Sequence, residues 1–153
     1  MKRVILTLVL CAAPIWAVAA AAPWRLTVSA SEATLTDGAP DSDDVATTLT
    51  CKRGERVVHV FAILDQRVSG HGEPPWPVRM GVASGAVQTS VIAAATPDEE
   101  NGGTDLDAKV PSSDPVIAAF GRTGAIRLSS GGETVKTSPV PAAKAAALLK
   151  VCG

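Results

Sequence analysis

The chain has no tyrosine, and its aromatic residues are three tryptophans and two phenylalanines. An aromatic-lined groove for sugars or stacked bases is therefore not expected, because such sites are built from exposed rings. Histidine is almost as scarce, at two residues, His59 and His71. A zinc site needs three or four ligands, so this chain is short of nitrogen donors for one. Positive charge is not concentrated anywhere. Phosphate backbones demand clustered lysine and arginine, and a nucleic-acid partner is excluded on that ground. Several motifs are missing as well. Gly81-Val82-Ala83-Ser84-Gly85 is not G-x-S-x-G, and Thr96–Thr104 lacks the D-x-D-x-D-G order of an EF-hand. The Gly-rich turn Ser129–Gly132 is an anion cradle in principle. No helix with Lys-Ser/Thr follows it, so it is not a P-loop.

What is present begins with an export signal. Lys2 and Arg3 form a positive n-region, Val4–Val18 is apolar, and small residues follow through Ala22. This pattern predicts a secretory signal peptide over residues 1–22. Removing Lys2 and Arg3 leaves 12 basic residues against 15 acidic ones, a net charge of −3. Residues 23–153 are then a single exported domain, with no stable membrane insertion after cleavage. Of the three cysteines, Cys11 lies in the signal, which leaves Cys51 and Cys152 in an oxidising compartment where pairing is the default.

The rest of the chain reads mainly as strands. Trp24–Ala30 alternates, as do Val45–Cys51 and Arg56–Leu64, and alternation is the mark of a β-strand. Val58, Val60, Ala62 and Leu64 share one face of the third segment. Val57, His59, Phe61 and Ile63 share the other, which predicts a central strand covered on both sides. Asp37-Gly38, Lys52–Glu55 and Ser84-Gly85 are turn signals. Pro77–Ala83, Ala86–Ala95, Ala125–Leu128 and Thr134–Thr137 are further strands, and Ala33–Thr36 and Asp105–Val110 are weaker candidates for short ones. Asp41–Asp44 and Thr96–Thr104 read as solvated acidic loops. Ser113 or Asp114 caps a short helix with Pro115 at its first position and Gly121 at its end. The last segment, Pro141–Val151, is an alanine-rich helix. Ala145, Leu148, Leu149 and Cys152 share one stripe of it, so Cys152 points into the core, as Cys51 does from its strand. A Cys51–Cys152 disulfide follows. The predicted fold is mainly β: an antiparallel sheet or sandwich of seven or eight strands, with a short helix and a C-terminal helix docked by the disulfide.

One loop combines features that the core does not require. Ser69–Pro77 holds rigid prolines, permissive glycines, His71, Glu73 and Trp76. These three are the candidate binding residues, and Trp is the residue most enriched at interaction hot spots. The plainer reading of Trp76 is a cap on one end of the core. A second function class, a small hydrolase or metal-dependent enzyme, would use His71, Glu73 and His59. His59 among apolar neighbours is first read as a satisfied structural residue. No cofactor is expected.

The order of landmarks also resembles known families. A Trp stands at the mature start, Ser42-Asp43-Asp44 precedes a strand ending in Cys51, and Trp76 follows a hairpin. A short helix comes next, and then a last helix ending in Cys152. This order is similar to the small periplasmic accessory proteins associated with type VI secretion and, more loosely, to the invasion-associated locus B proteins. The Pro-rich approach to Trp76 departs from the first group. What the resemblance implies is a periplasmic location, a β-rich architecture and a non-enzymatic role in contact with a protein or cell-envelope component. It carries over no catalytic residue.

Overall fold

A computed structural model describes residues 24–38, 45–135 and 137–153. The expected signal peptide and the acidic loop at Asp41–Asp44 lie outside the described residues. Nine strands, rather than the seven or eight expected, form one antiparallel sheet. They are β1 (Arg25–Val28), β2 (Glu32–Asp37), β3 (Thr47–Lys52), β4 (Val57–Leu64), β5 (Trp76–Ser84), β6 (Val87–Pro97), β7 (Thr104–Pro111), β8 (Arg127–Ser130) and β9 (Glu133–Val135). Their order across the sheet is β1-β2-β3-β4-β7-β6-β5-β8-β9. The sheet is curled rather than split into a sandwich, and it brings β9 close to β4. Two helices, α1 (Pro115–Thr123) and α2 (Ala142–Cys152), pack on its inner face.

The period-2 pattern explains which face is inner. Val58, Val60, Ala62 and Leu64 of β4 are fully buried, as are Leu106 and Val110 of β7 and Met80 of β5. Each large apolar side chain among them contributes about 1.5–3 kcal/mol on leaving water. Leu148 and Cys152 of α2 and Phe120 of α1 belong to the same core. The Cys51–Cys152 disulfide ties α2 to β3, with the two Cα atoms 5.0 Å apart and a sequence separation of 101. Trp24 anchors the start of the sheet: its indole N–H donates to Ser138 O at 2.7 Å, and Lys144 Nζ donates to Trp24 O at 2.6 Å. The first bond holds the approach to α2, and the second holds α2 itself, at the start of β1.

Three expectations need correction. The first strand is shorter than the alternation suggests, and Val28 is 56% exposed, because β1 peels away from the core beyond Leu26. Helix α1 does not stop at Gly121. It runs on to Thr123 and is closed by Gly124, at φ 68°, whose N–H donates to Phe120 O. Gly121 is instead a contact point, since a Cβ there would meet Leu149 of α2. Asp114 is the N-cap, its carboxylate accepting from Val116 N at 2.9 Å.

The outer row of β4 is not covered. Val57, His59, Phe61 and Ile63 are only half-buried, and both helices pack on the opposite face of the sheet. An apolar row on both faces of a strand does not reveal whether the second cover comes from the same chain.

Strand β5 also has a partly open edge. It pairs with β8 only over Gly81–Ala83. Ser130 Oγ donates to Arg79 O, so Arg79 turns its backbone toward the β8 side, and Pro77, two residues earlier, faces the same way. Proline has no N–H to offer there, which blunts the edge against unwanted pairing.

Candidate functional site

The loop between β4 and β5 is built by distant supports rather than by its own sequence alone. Its first residues leave β4 beside β9. There the Glu133 carboxylate accepts from Asp65 N at 2.9 Å and from Gln66 N at 3.1 Å. Thr104, fully buried at the start of β7, does the next task. Its hydroxyl donates to Gln66 O at 2.9 Å and accepts from Val68 N at 2.8 Å. Arg67 and Glu99 form an exposed ion pair at 3.5 Å, and such a pair contributes little.

Trp76 holds the far half of the loop. Its indole N–H donates to Gly72 O at 2.9 Å. Gly70 lies directly against the indole ring, so closely that a Cβ at that position would overlap it. Gly72 takes φ 84°, which an L side chain rarely adopts. The two glycines therefore do different work: one lets the chain approach the ring, the other lets it turn. Trp76 is half-buried and pairs with Ala95 of β6. Its polar handle is spent inside the loop, so it is the post on which the loop rests.

His71 and Glu73 are exposed and make no hydrogen bond or ion pair within the described residues. Their side chains are free to meet something else. His59 is not brought to them. It sits near the start of β4, five residues from Leu64, and at the usual rise per residue this is about 17 Å along the strand. Its Nε2 lies 2.7 Å from Glu55 Oε2. That hydrogen bond holds the Glu55 carboxyl below the usual carboxylate range, with Lys52 and Lys109 adding attraction. Among the described residues no three of His, Cys, Asp or Glu come together as a metal site. Nor is any helix there long and apolar enough to cross a membrane.

Elsewhere, carboxylates serve the fold. Asp98 organises the β6–β7 turn, accepting from the amides of Glu100 and Asn101 and from the Asn101 side chain. Those bonds hold its carboxyl below the ordinary range. Asp37 is buried at the end of β2, and burial pushes its carboxyl up against the opposing effect of hydrogen bonds from Ser138. No protein-family model, curated protein or solved structure matches this chain.

The loop stands out by its composition, but its supports do not. Glu133 and Thr104 are separated from the amides of Asp65 and Val68 that they hold by 68 and 36 residues, and nothing local marks either of them.

Proposed function

We propose that this chain is an exported, non-catalytic interaction protein of the cell envelope, and that Ser69–Pro77 is its contact surface. One observation carries the proposal. Glu133 and Thr104 fix the approach to this segment through four hydrogen bonds to Asp65, Gln66 and Val68, and the Trp76 indole holds it from within at Gly72, while His71 and Glu73 stay exposed and make no hydrogen bond or ion pair within the described residues. A loop held this way loses little conformational entropy on binding, and that saving favours affinity. His71 and Glu73 offer a titratable donor and a carboxylate to a polar rim, with the exposed Pro74 and Pro75 beside them. The disulfide supports export, since such bonds persist in oxidising compartments. The landmark resemblance to periplasmic accessory proteins supports the same reading.

A photo-cross-linking residue placed at position 71 or 73 tests this, with Arg122 on α1 as the exposed control site. The expected result is an adduct with an envelope protein from 71 and 73 and none from 122. The same adduct from all three positions, or no adduct from the loop, overturns the proposal.

A further inference from the structure

The uncovered outer face of the sheet carries a pattern that the loop does not explain. Register places its residues in two neighbouring rows. One row runs Pro77, Ala94, Asp107, Phe61, Thr48. In the next, Arg79 pairs with Ile92, and Lys109 pairs with His59, which pairs with Thr50. The Ala93–Ala108 pair sets Ile92 beside Lys109. Ile92 is 63% exposed, the largest exposure of a bulky apolar side chain among the described residues. It borders a groove of 420 Å³ walled by Pro75, Pro77 and Ala94. Asp107 and Lys109 are exposed on adjacent outward positions of β7, and neither forms an ion pair within the described residues.

We infer that this face binds a second copy of the same chain about a two-fold axis that lies in the interface and crosses β7 at right angles between Asp107 and Lys109. The charge pattern is what selects this occupant. Rotation about that axis lays the two outer faces together, with each β7 antiparallel to its copy. Asp107 then faces Lys109 of the second copy, and Lys109 faces its Asp107. The two rows exchange in the same way on either side. Ile92 meets Ala94 of the second copy on the β6 side, and the Phe61 ring meets its His59 on the β4 side. Opposite charges meet at the centre while apolar and aromatic groups meet at the flanks, which is the self-complementarity an isologous dimer requires. An unrelated partner would have no reason to mirror this chain's own order of acid, base and apolar residues. Pro75 and Pro77 border both this face and the contact loop, but the two readings are tested at different residues: Ile92, Asp107 and Lys109 report on the dimer, His71 and Glu73 on the loop.

Sedimentation analysis of the purified, disulfide-intact protein over a concentration series tests it. A reversible dimer is expected. Ile92→Asp and Asp107→Lys should each raise the dimer dissociation constant by about tenfold or more. Asp107→Lys combined with Lys109→Asp should restore dimerisation to within about threefold of the parent, because the swap recreates both attractive contacts. Ile92, Asp107 and Lys109 are all exposed, and circular dichroism with a melting curve checks that each variant is folded. A misfolded single variant cannot imitate rescue by the double reversal. A monomer at every concentration, a dimer indifferent to Ile92→Asp, or a double variant no better than Asp107→Lys alone overturns the inference.

Discussion

Replacing both cysteines, Cys51→Ala with Cys152→Ala, should lower the unfolding free energy by about 4–5 kcal/mol and the melting temperature by on the order of 15 °C. The bond closes a loop with a sequence separation of 101, which includes β4–β9 and both helices. Without it the unfolded chain regains the freedom of that loop, and the cost grows with the logarithm of its length. The native side has little to compensate. Both sulfur-bearing residues are buried in the core, and alanine leaves two small gaps there. The bond is also the covalent tie between α2 and the sheet. Titrating the unfolded, unreduced chain prepared without residues 1–22, which carry Cys11, should find no free thiol, and the reductant-treated parent should melt where the double variant does. A double variant with the parent's melting temperature would show that packing of α2 alone is sufficient.

Gly124→Ala should cost about 3 kcal/mol or more, the second largest effect we expect. Two causes add. Gly124 is in the left-handed region, at φ 68°, where a side chain costs about 1–2 kcal/mol. A Cβ there would also run into the carbonyl of Val140, which must retreat. That retreat is not free. Val140 N donates to Gly124 O at 2.8 Å, and the same segment carries Ser138 O, which receives the Trp24 indole N–H. Displacing it therefore loosens α1, the approach to α2 and β1 together. Gly131→Ala is the control. Gly131 has φ 60°, but a Cβ there would have nothing within 4 Å, so only the conformational cost of about 1–2 kcal/mol applies. Urea unfolding of the two variants separates the causes, and equal losses would mean that the collision is relieved without cost.

Much of this architecture is legible in the chain because one period governs it. Alternation in Arg56–Leu64 identifies Val58, Val60, Ala62 and Leu64 as one face, and all four are buried. The helical stripe Ala145, Leu148, Cys152 meets the strand parity of Cys51 from the other side, and the two cysteines are bonded. Gly54 and Gly85 mark turns and take positive φ. What is not legible depends on partners far along the chain. The sheet order sets β4 against β7 and β5 against β8, and no local pattern dictates that choice. Gly121 looks like a helix end because glycine is common there, yet helix contact with Leu149 is its reason for being small. The outer row of β4 reads as covered because hydrophobicity alone does not distinguish a cover within the chain from one supplied by another molecule.

The candidate site follows the same division. His71, Glu73 and Trp76 stand out by composition, and the structure places all three on one loop or at its base. The division of labour among them is visible only in three dimensions. The Trp76 N–H turns inward to Gly72 O, whereas His71 and Glu73 remain outside. His59, grouped with them by chemistry alone, belongs to Glu55 at the opposite end of β4.

The claim that this loop is built in advance of any partner is tested most directly by hydrogen exchange in the free protein, followed residue by residue. The amides of Asp65, Gln66 and Val68 and the indole N–H of Trp76 should exchange slowly, and Glu133→Ala should accelerate Asp65 and Gln66 selectively. Exchange of these four hydrogens as fast as the exposed turn amides of Gly85 and Ala86, with no response to Glu133→Ala, would contradict it.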